Sequence, residues 1–570
     1  VLSAEVLSAE SLRIGLPLLS TLHSALSTGS IIPGVSDIDT LRDQLKERGY
    51  LAMGIERWFA LDPWSSRAFW LELATVALKG ATLIALFGVL PLVAVMLFRN
   101  HPLSVSETFL ITLLYGAGWL AVAFAFLVAV ALLFRSRPQL AVDTPRALLA
   151  ISFVAAAALT FVIAFWWYRF DTAPSIAELA AGIALMALFF IVASIVVSAA
   201  MLSFSIYELH RVPAIHQKPR GVPMSIAAAI LIALLFLPAW AAQERTHEAP
   251  VQVVTTPTTH RIALVAVDGL TFELLPSLQT KFATIAAVKP VAGESTAERW
   301  ASLGTGVETR AHGVRAIEGI RMRGGQHVLQ SLSRADVILR DVAPLIGLAR
   351  REPLPPTVRK RDYIWELFAA RGVPSAAVNW WTTEDTKRGA LEEIGQASVF
   401  AAIRDTPESA ALKVDASASR KLLAIVDRSH PRFATAYLPA LDVILNRLTL
   451  DPSTQFTASA RALDGVKKTI EELHARGYEV VIAGLPGDHQ RGSAVIASTL
   501  ALQTPASAFD LAPTLCTALG FPASTEMPGT SRLQPEEPRI ATYGNRATAA
   551  HSVKVDEEYY ESLKSLGYIR

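Results

Sequence analysis

The chain of 570 residues is 52% hydrophobic and only 18% charged, with a mean hydropathy of +0.38. Such a composition excludes a wholly soluble protein of this length and points to several membrane spans plus at least one globular domain. The formal net charge of +2 is too small and too evenly spread for a nucleic-acid binder, and the single cysteine, Cys516, excludes an intramolecular disulfide and a thiolate metal cluster.

Residues 1–68 read as an amphipathic, partly helical prelude, in which Leu41 to Tyr50 (LRDQLKERGY) has the pattern of a surface helix with no assignable chemistry. The opening VLSAEVLSAE lacks a starting Met, so the natural N-terminus is expected further upstream. A helix needs about 20 apolar residues to cross the hydrocarbon core. About five stretches within 69–243 qualify: 80–98, 109–134, 147–168, 177–204 and 224–242. Arg57, Arg67 and Lys79 precede the first span. Arg135, Arg137 and Arg146 sit in the second loop, and Arg211, Lys218 and Arg220 in the fourth. The first and third loops carry only Arg99 and Arg169. Basic residues stay on the cytoplasmic side. The alternation therefore predicts a cytoplasmic N-terminus and, with an odd number of spans, a periplasmic or extracellular C-terminal domain. Trp70, Trp166, Trp167 and Tyr168 lie near span ends, where aromatic rings favour the headgroup zone. No Asp, Glu or His pairs occur inside the spans, which favours an anchor in membrane lipid over a transporter.

Residues 244–260 (ERTHEAPVQVVTTPTTH) read as a polar linker rich in Thr and Pro. Beyond it, 261–570 alternates strand-like runs at 262–267, 374–379, 433–438, 478–483 and 493–497 with helical patterns at 363–371, 455–476 and 510–519. This alternation predicts an α/β domain whose mostly parallel sheet is sandwiched by helices. Reactive groups of such sheets collect beyond the C-terminal strand ends, where Asp268 follows the run IALVAV.

About thirty residues after Asp268-Gly269 comes TAERWASLGTGVETRAHGV, beginning at Thr296. The spacing Thr296, Ser302, Thr305-Gly306, His312-Gly313 resembles the nucleophile segment of the alkaline phosphatase superfamily, and within it the type I phosphodiesterase/nucleotide pyrophosphatase branch. Residues 363–383 (YIWELFAARGVPSAAVNWWTT), 508–529 (AFDLAPTLCTALGFPASTEMPG) and the ending YYESLKSLGYIR extend the likeness, whereas 317–360 and 384–430 match poorly.

The resemblance implies an alkaline-phosphatase-like domain in which two divalent metals, usually zinc, clamp a phosphoryl group while a Thr or Ser attacks it. It assigns Thr296 as nucleophile, although a Thr there also suits a helix N-cap. Arg299 falls where relatives often carry an Asn that holds phosphoryl oxygens; an Arg could do this by a forked contact or face solvent. Asp268 and Asp442 correspond to metal ligands, and His489 to the final ligand His, or else to the second member of an Asp488-His489 pair. The set is incomplete. Asn446 stands where a His is expected, and the strand YEVVIAG runs into Leu485-Pro486-Gly487 where an Asp-His pair belongs. Glu294, Glu298 and Glu384 are possible substitutes, and His312-Gly313 is expected to be a structural turn.

Two functions follow. One is a membrane-anchored, degenerate relative, acting without two-metal catalysis as a binding or assembly module at the outer face. The alternative is a metal-dependent phosphodiester or phosphomonoester hydrolase, or a headgroup transferase, using Thr296. In layout, spans followed by an outer domain are similar to lipoteichoic acid synthases and phosphoethanolamine transferases, which suggests a lipid headgroup or envelope polymer as partner. The basic run Arg350-Arg351 with Arg359-Lys360-Arg361 is either a solvated face or a contact for anionic headgroups.

Overall fold

The computed structural model describes residues 69–99, 103–134, 145–170, 176–205 and, apart from short breaks, 253–569. It divides into two compact units, Val1–Ala242 with Ser333–Asp341, and Gln243–Leu332 with Val342–Arg570.

In the first unit four long helices are described: α1 (Phe69–Arg99), α2 (Val105–Phe134), α3 (Pro145–Phe170) and α4 (Ile176–Ser205). Each contains an apolar stretch of 19 to 29 residues, long enough to cross a bilayer. α1 packs against α2 and α4, and α3 against α4. Gly88 on α1 permits the close approach, since a Cβ there would lie 3.1 Å from Phe189 of α4 and 3.5 Å from Trp119 of α2. Large apolar side chains such as Leu133, Val154 and Phe161 remain exposed on the helices, as lipid-facing positions require. Pro91 lies inside α1, where membrane helices tolerate it. Most of the fifth expected span, 224–242, and the prelude 1–68 lie outside the described residues.

The second unit is the expected α/β domain. Its large sheet contains eight strands in the order β2-β11-β10-β1-β9-β6-β8-β7. These are β1 (Ile262–Asp268), β2 (Thr284–Val288), β6 (Ser375–Val378), β7 (Thr386–Arg388), β8 (Leu391–Ile394), β9 (Phe433–Leu438), β10 (Glu479–Leu485) and β11 (Ala494–Ser498). The centre is parallel: β1 pairs with β10 and β9, and β6 with β9 and β8. Both edges turn antiparallel, through β11 and β2 on one side and β7 on the other. All residues of β1, β6 and β9 are buried regardless of alternation, so both sheet faces are covered. The covering helices include α5 (Thr296–Thr305), α6 (Ile364–Ala369), α7 (Pro407–Ser429), α8 (Pro452–Ala475), α9 (Leu511–Ala518) and α10 (Glu557–Ser565). A smaller antiparallel sheet of β3 (Glu318–Met322), β4 (Val328–Leu329) and β5 (Ala349–Pro353) is ordered β4-β3-β5.

The parallel centre carries the C-terminal ends of β1, β9 and β10 side by side. The register places Asp268 opposite Leu485 and Val267 opposite Leu438. Gly269 then turns with φ +81°, and a Cβ there would lie 2.6 Å from the backbone nitrogen of Asp442. Only glycine allows the two post-strand segments to meet so closely.

Candidate functional site

Asp268 ends β1 fully buried. Its Oδ2 accepts a 2.8 Å hydrogen bond from the Tyr437 hydroxyl, while Oδ1 has no hydrogen-bond partner among the described residues. Burial pushes its carboxyl up to about 7, with the neighbouring Asp442 adding to the rise; Arg299, Arg447 and the Tyr437 bond oppose it. Asp415 of α7 is a second buried carboxyl of this region. Its Oδ1 accepts from the Ala440 amide at 3.1 Å, and burial raises it well above the usual carboxylate range, with Asp268 contributing.

Thr296 is the first residue of α5. The preceding Ser295 caps the helix by accepting from the Glu298 amide, so the Thr296 hydroxyl is not spent on capping. Its Oγ1 instead accepts two guanidinium hydrogen bonds, from Arg447 at 2.6 Å and from Arg299 at 3.2 Å. The residue is fully buried, and among the described residues no side chain accepts its proton. Arg299 lies one helical turn beyond Thr296 on the same face and turns inward, its Nη1 donating to the Pro486 carbonyl at 3.0 Å.

Asp442 follows β9 and is fully buried. After it the chain makes a π-helical turn, Val443–Arg447, closed by a bond from the Leu448 amide to the Val443 carbonyl. The wider turn brings residue 447 back over residue 442. Arg447 Nε donates to Asp442 Oδ2 at 2.6 Å, and Asn446 Nδ2 donates to Oδ1 at 2.9 Å. The strand-end loop of β10 closes the other side. A Cβ at Gly487 would fall 1.8 Å from Asp442 Oδ1 and 2.2 Å from Asn446 Nδ2. Gln490 ties this loop down, accepting from the Gly487 amide at 2.7 Å and donating to the Gly269 carbonyl at 3.2 Å.

The outer side of Arg447 is covered by the chain end. The Tyr568 ring lies 4.2 Å from its guanidinium and meets Trp381 edge-on at 5.3 Å. Leu566, Tyr568 and Ile569 are all buried.

The structure thus brings together Asp268, Thr296, Arg299 and Asp442. His489 and its neighbour Asp488 lie outside the described residues, as does Glu294. Glu298 accepts from Thr309 at 2.8 Å, and Glu384 is exposed. His312 is a buried structural residue, as expected. The Val314 amide donates to its Nδ1 at 3.1 Å, which leaves Nε2 as the donor to Ser302 at 2.8 Å. Burial, with help from Arg359 and Arg315, lowers its pKa to about 3 and keeps it neutral. Arg447, Tyr437, Gln490 and Tyr568 were not singled out from the sequence. Arg447 lies in the quoted run YLPALDVILNRL, but only the π turn reveals which way it faces.

Among the described residues the donor set does not make up a two-metal centre. Catalytic zinc wants three protein ligands from His, Asp, Glu or Cys. Among the described residues no group of three such side chains could hold a metal ion. Each oxygen of Asp442 already accepts a hydrogen bond, from Arg447 and from Asn446, and Gly487 packs beside it.

Residues 262–489 match the family described as type I phosphodiesterase/nucleotide pyrophosphatase. A search of curated proteins gave no match. Among solved structures, a sulfatase candidate from Bacteroides thetaiotaomicron is 13% identical, with a TM-score of 0.33, covering 50% of this chain and 76% of that one. Murine ectonucleotide pyrophosphatase/phosphodiesterase 5 is 13% identical (TM-score 0.27), over 40% of this chain and 56% of that one. A lipoteichoic acid synthase from Listeria monocytogenes is 11% identical (TM-score 0.27), over 47% and 76%. Likenesses this distant carry no argument of their own. The family match covers the segment that holds Asp268, Thr296 and Asp442, in a chain whose N-terminal part carries helices long and apolar enough to cross a membrane.

Proposed function

We propose that this chain is a membrane-anchored member of the superfamily that has given up two-metal catalysis and serves as a binding or assembly module on the outer face of the membrane. One observation carries the reading: Arg447 bridges Asp442 and Thr296. In a working two-metal centre the hydroxyl must bind a metal that acidifies it. Here it receives hydrogen bonds from two permanently charged guanidinium groups, which polarise the oxygen but take no proton from it. The outer placement rests on the distribution of Arg and Lys between the spans, and the partner chemistry that suits such a protein is a lipid headgroup or an envelope polymer.

The test is hydrolysis of a nitrophenyl phosphodiester by the purified full chain with added zinc or manganese. No turnover above a Thr296→Ala control is expected. Metal-dependent turnover that disappears in Thr296→Ala would overturn the reading. A phosphatase reporter fused to the C-terminus should be active in cells if the domain is exported.

A second reading, a metal-dependent hydrolase or headgroup transferase, is favoured by one feature. Among the described residues Asp268 Oδ1 is buried without a hydrogen-bond partner at the end of β1, a position that suits a cation. Turnover in the same assay would select this reading.

A further inference from the structure

Two arginines converge on Thr296, and each reaches from it to a different part of the ligand framework that the family resemblance implies. Arg447 connects Thr296 to Asp442, beside Asn446, which stands where a ligand His is expected. Arg299 connects Thr296 to the Pro486 carbonyl, in the loop where an Asp-His pair is expected. The positions of lost ligands and of gained cations therefore coincide on both sides of the hydroxyl.

Resting on the non-catalytic reading above, we propose that Arg447 and Arg299 replace the two divalent ions as the positive charges of this centre, so that it holds a phosphoryl-class tetrahedral oxyanion without any metal. The physical grounds are threefold. A guanidinium is charged at every accessible pH and carries five donors in one plane, and the donors of both arginines that now converge on the Thr296 hydroxyl are the ones an anion oxygen would share. Both arginines extend from fixed backbone: Arg299 from the first turns of the 10-residue helix α5, and Arg447 from a π turn clamped by Asp442. The Arg447 side chain is only 6% exposed, so its charge is weakly screened.

The substitution also separates binding from chemistry. A metal ion binds an oxyanion and acidifies the attacking hydroxyl in one step. A guanidinium does the first and leaves the hydroxyl protonated. Residues 567–568 cover Arg447: the Tyr568 ring lies over its guanidinium, and a Cβ at Gly567 would lie 3.2 Å from Arg447 Cβ.

The experiment uses the purified full chain in detergent, stripped with a chelator, and follows thermal unfolding while inorganic phosphate is titrated against chloride at matched ionic strength. A rise in Tm of about 2–4 °C at tenfold saturation is expected, unchanged by added zinc or manganese. Arg299→Gln should weaken the half-saturating concentration by roughly tenfold, the loss of one charged hydrogen-bonding partner. Arg447→Lys, which keeps the charge on Asp442 but loses the fork, should weaken it as well. A parallel titration with dimethyl phosphate distinguishes a diester, as in a lipid headgroup, from free phosphate, and saturation by either supports the proposal. Stabilisation that appears only after metal is added would overturn it. So would an unchanged titration in Arg299→Gln, or no response to either anion. Turnover of the nitrophenyl diester is a separate readout: it defeats the non-catalytic reading whether or not anions bind the stripped protein.

Discussion

The centre has two sides of contrasting construction, and their difference is informative. The first side, Asp268-Gly269 and Thr296 on α5, lies at a strand end and a helix start. The second side, Asp442 to Arg447 and Leu485 to Gln490, keeps Asp442 but surrounds it with a guanidinium, an amide and close-packed backbone. On the first side Asp268 Oδ1 has no hydrogen-bond partner among the described residues, whereas both oxygens of Asp442 are paired on the second. A nucleophile motif alone therefore says where a phosphoryl group would sit, and the opposite wall decides whether chemistry can follow.

The sharpest way to break this contrast is to remove Arg447. Arg447→Met should leave Asp442 as an unpaired buried charge and cost about 3–5 kcal/mol of stability in denaturant unfolding. A cost near zero would mean that the pair is not what holds the second side. Next in size is Gly487→Ala, where a Cβ would collide with Asp442 Oδ1; overpacking of about 1–3 kcal/mol is expected, readable as a fall in Tm.

Asp268 sharpens the comparison through pH. Its folded carboxyl is raised to about 7, mainly by burial, against 3.8 for the ordinary carboxyl. The folded state therefore binds more protons than the unfolded state between those values, so this group's stabilising contribution is full below about pH 4 and is lost as pH rises to about 7. Unfolding measured from pH 4 to 8 should show that slope flattened in Asp268→Asn relative to the native chain. An identical slope in the two proteins would contradict the assignment. The smallest effect is expected from Tyr568→Leu, which keeps apolar volume but removes the ring from Arg447, at about 1 kcal/mol by the same unfolding measurement.

Much of the fold was legible because its central strands are unbroken apolar runs. The expected 433–438 is β9 to the residue, and 262–267 and 478–483 differ from β1 and β10 only at their ends. The edge strands were not legible, since β7 (TKR) and β8 (LEEI) are polar and take their strand character from pairing. Helix α7 escaped notice because its Ala- and Ser-rich sequence carries only a thin apolar stripe. In the site, Thr296, Arg299, Asn446 and Leu485-Pro486 were singled out through the family resemblance, at positions where the chain matches or departs from its motifs. The replacement could not be read. Arg447 faces Asp442 only because the turn after β9 is π rather than α, and Tyr568 reaches it from the far end of the chain.

The account stands most directly on the metal content of the purified full chain, measured together with its Tm before and after chelation. It predicts far less than one zinc or manganese per chain and an unchanged Tm, because guanidinium groups already supply the charge. Near-stoichiometric metal whose removal lowers the Tm would contradict it.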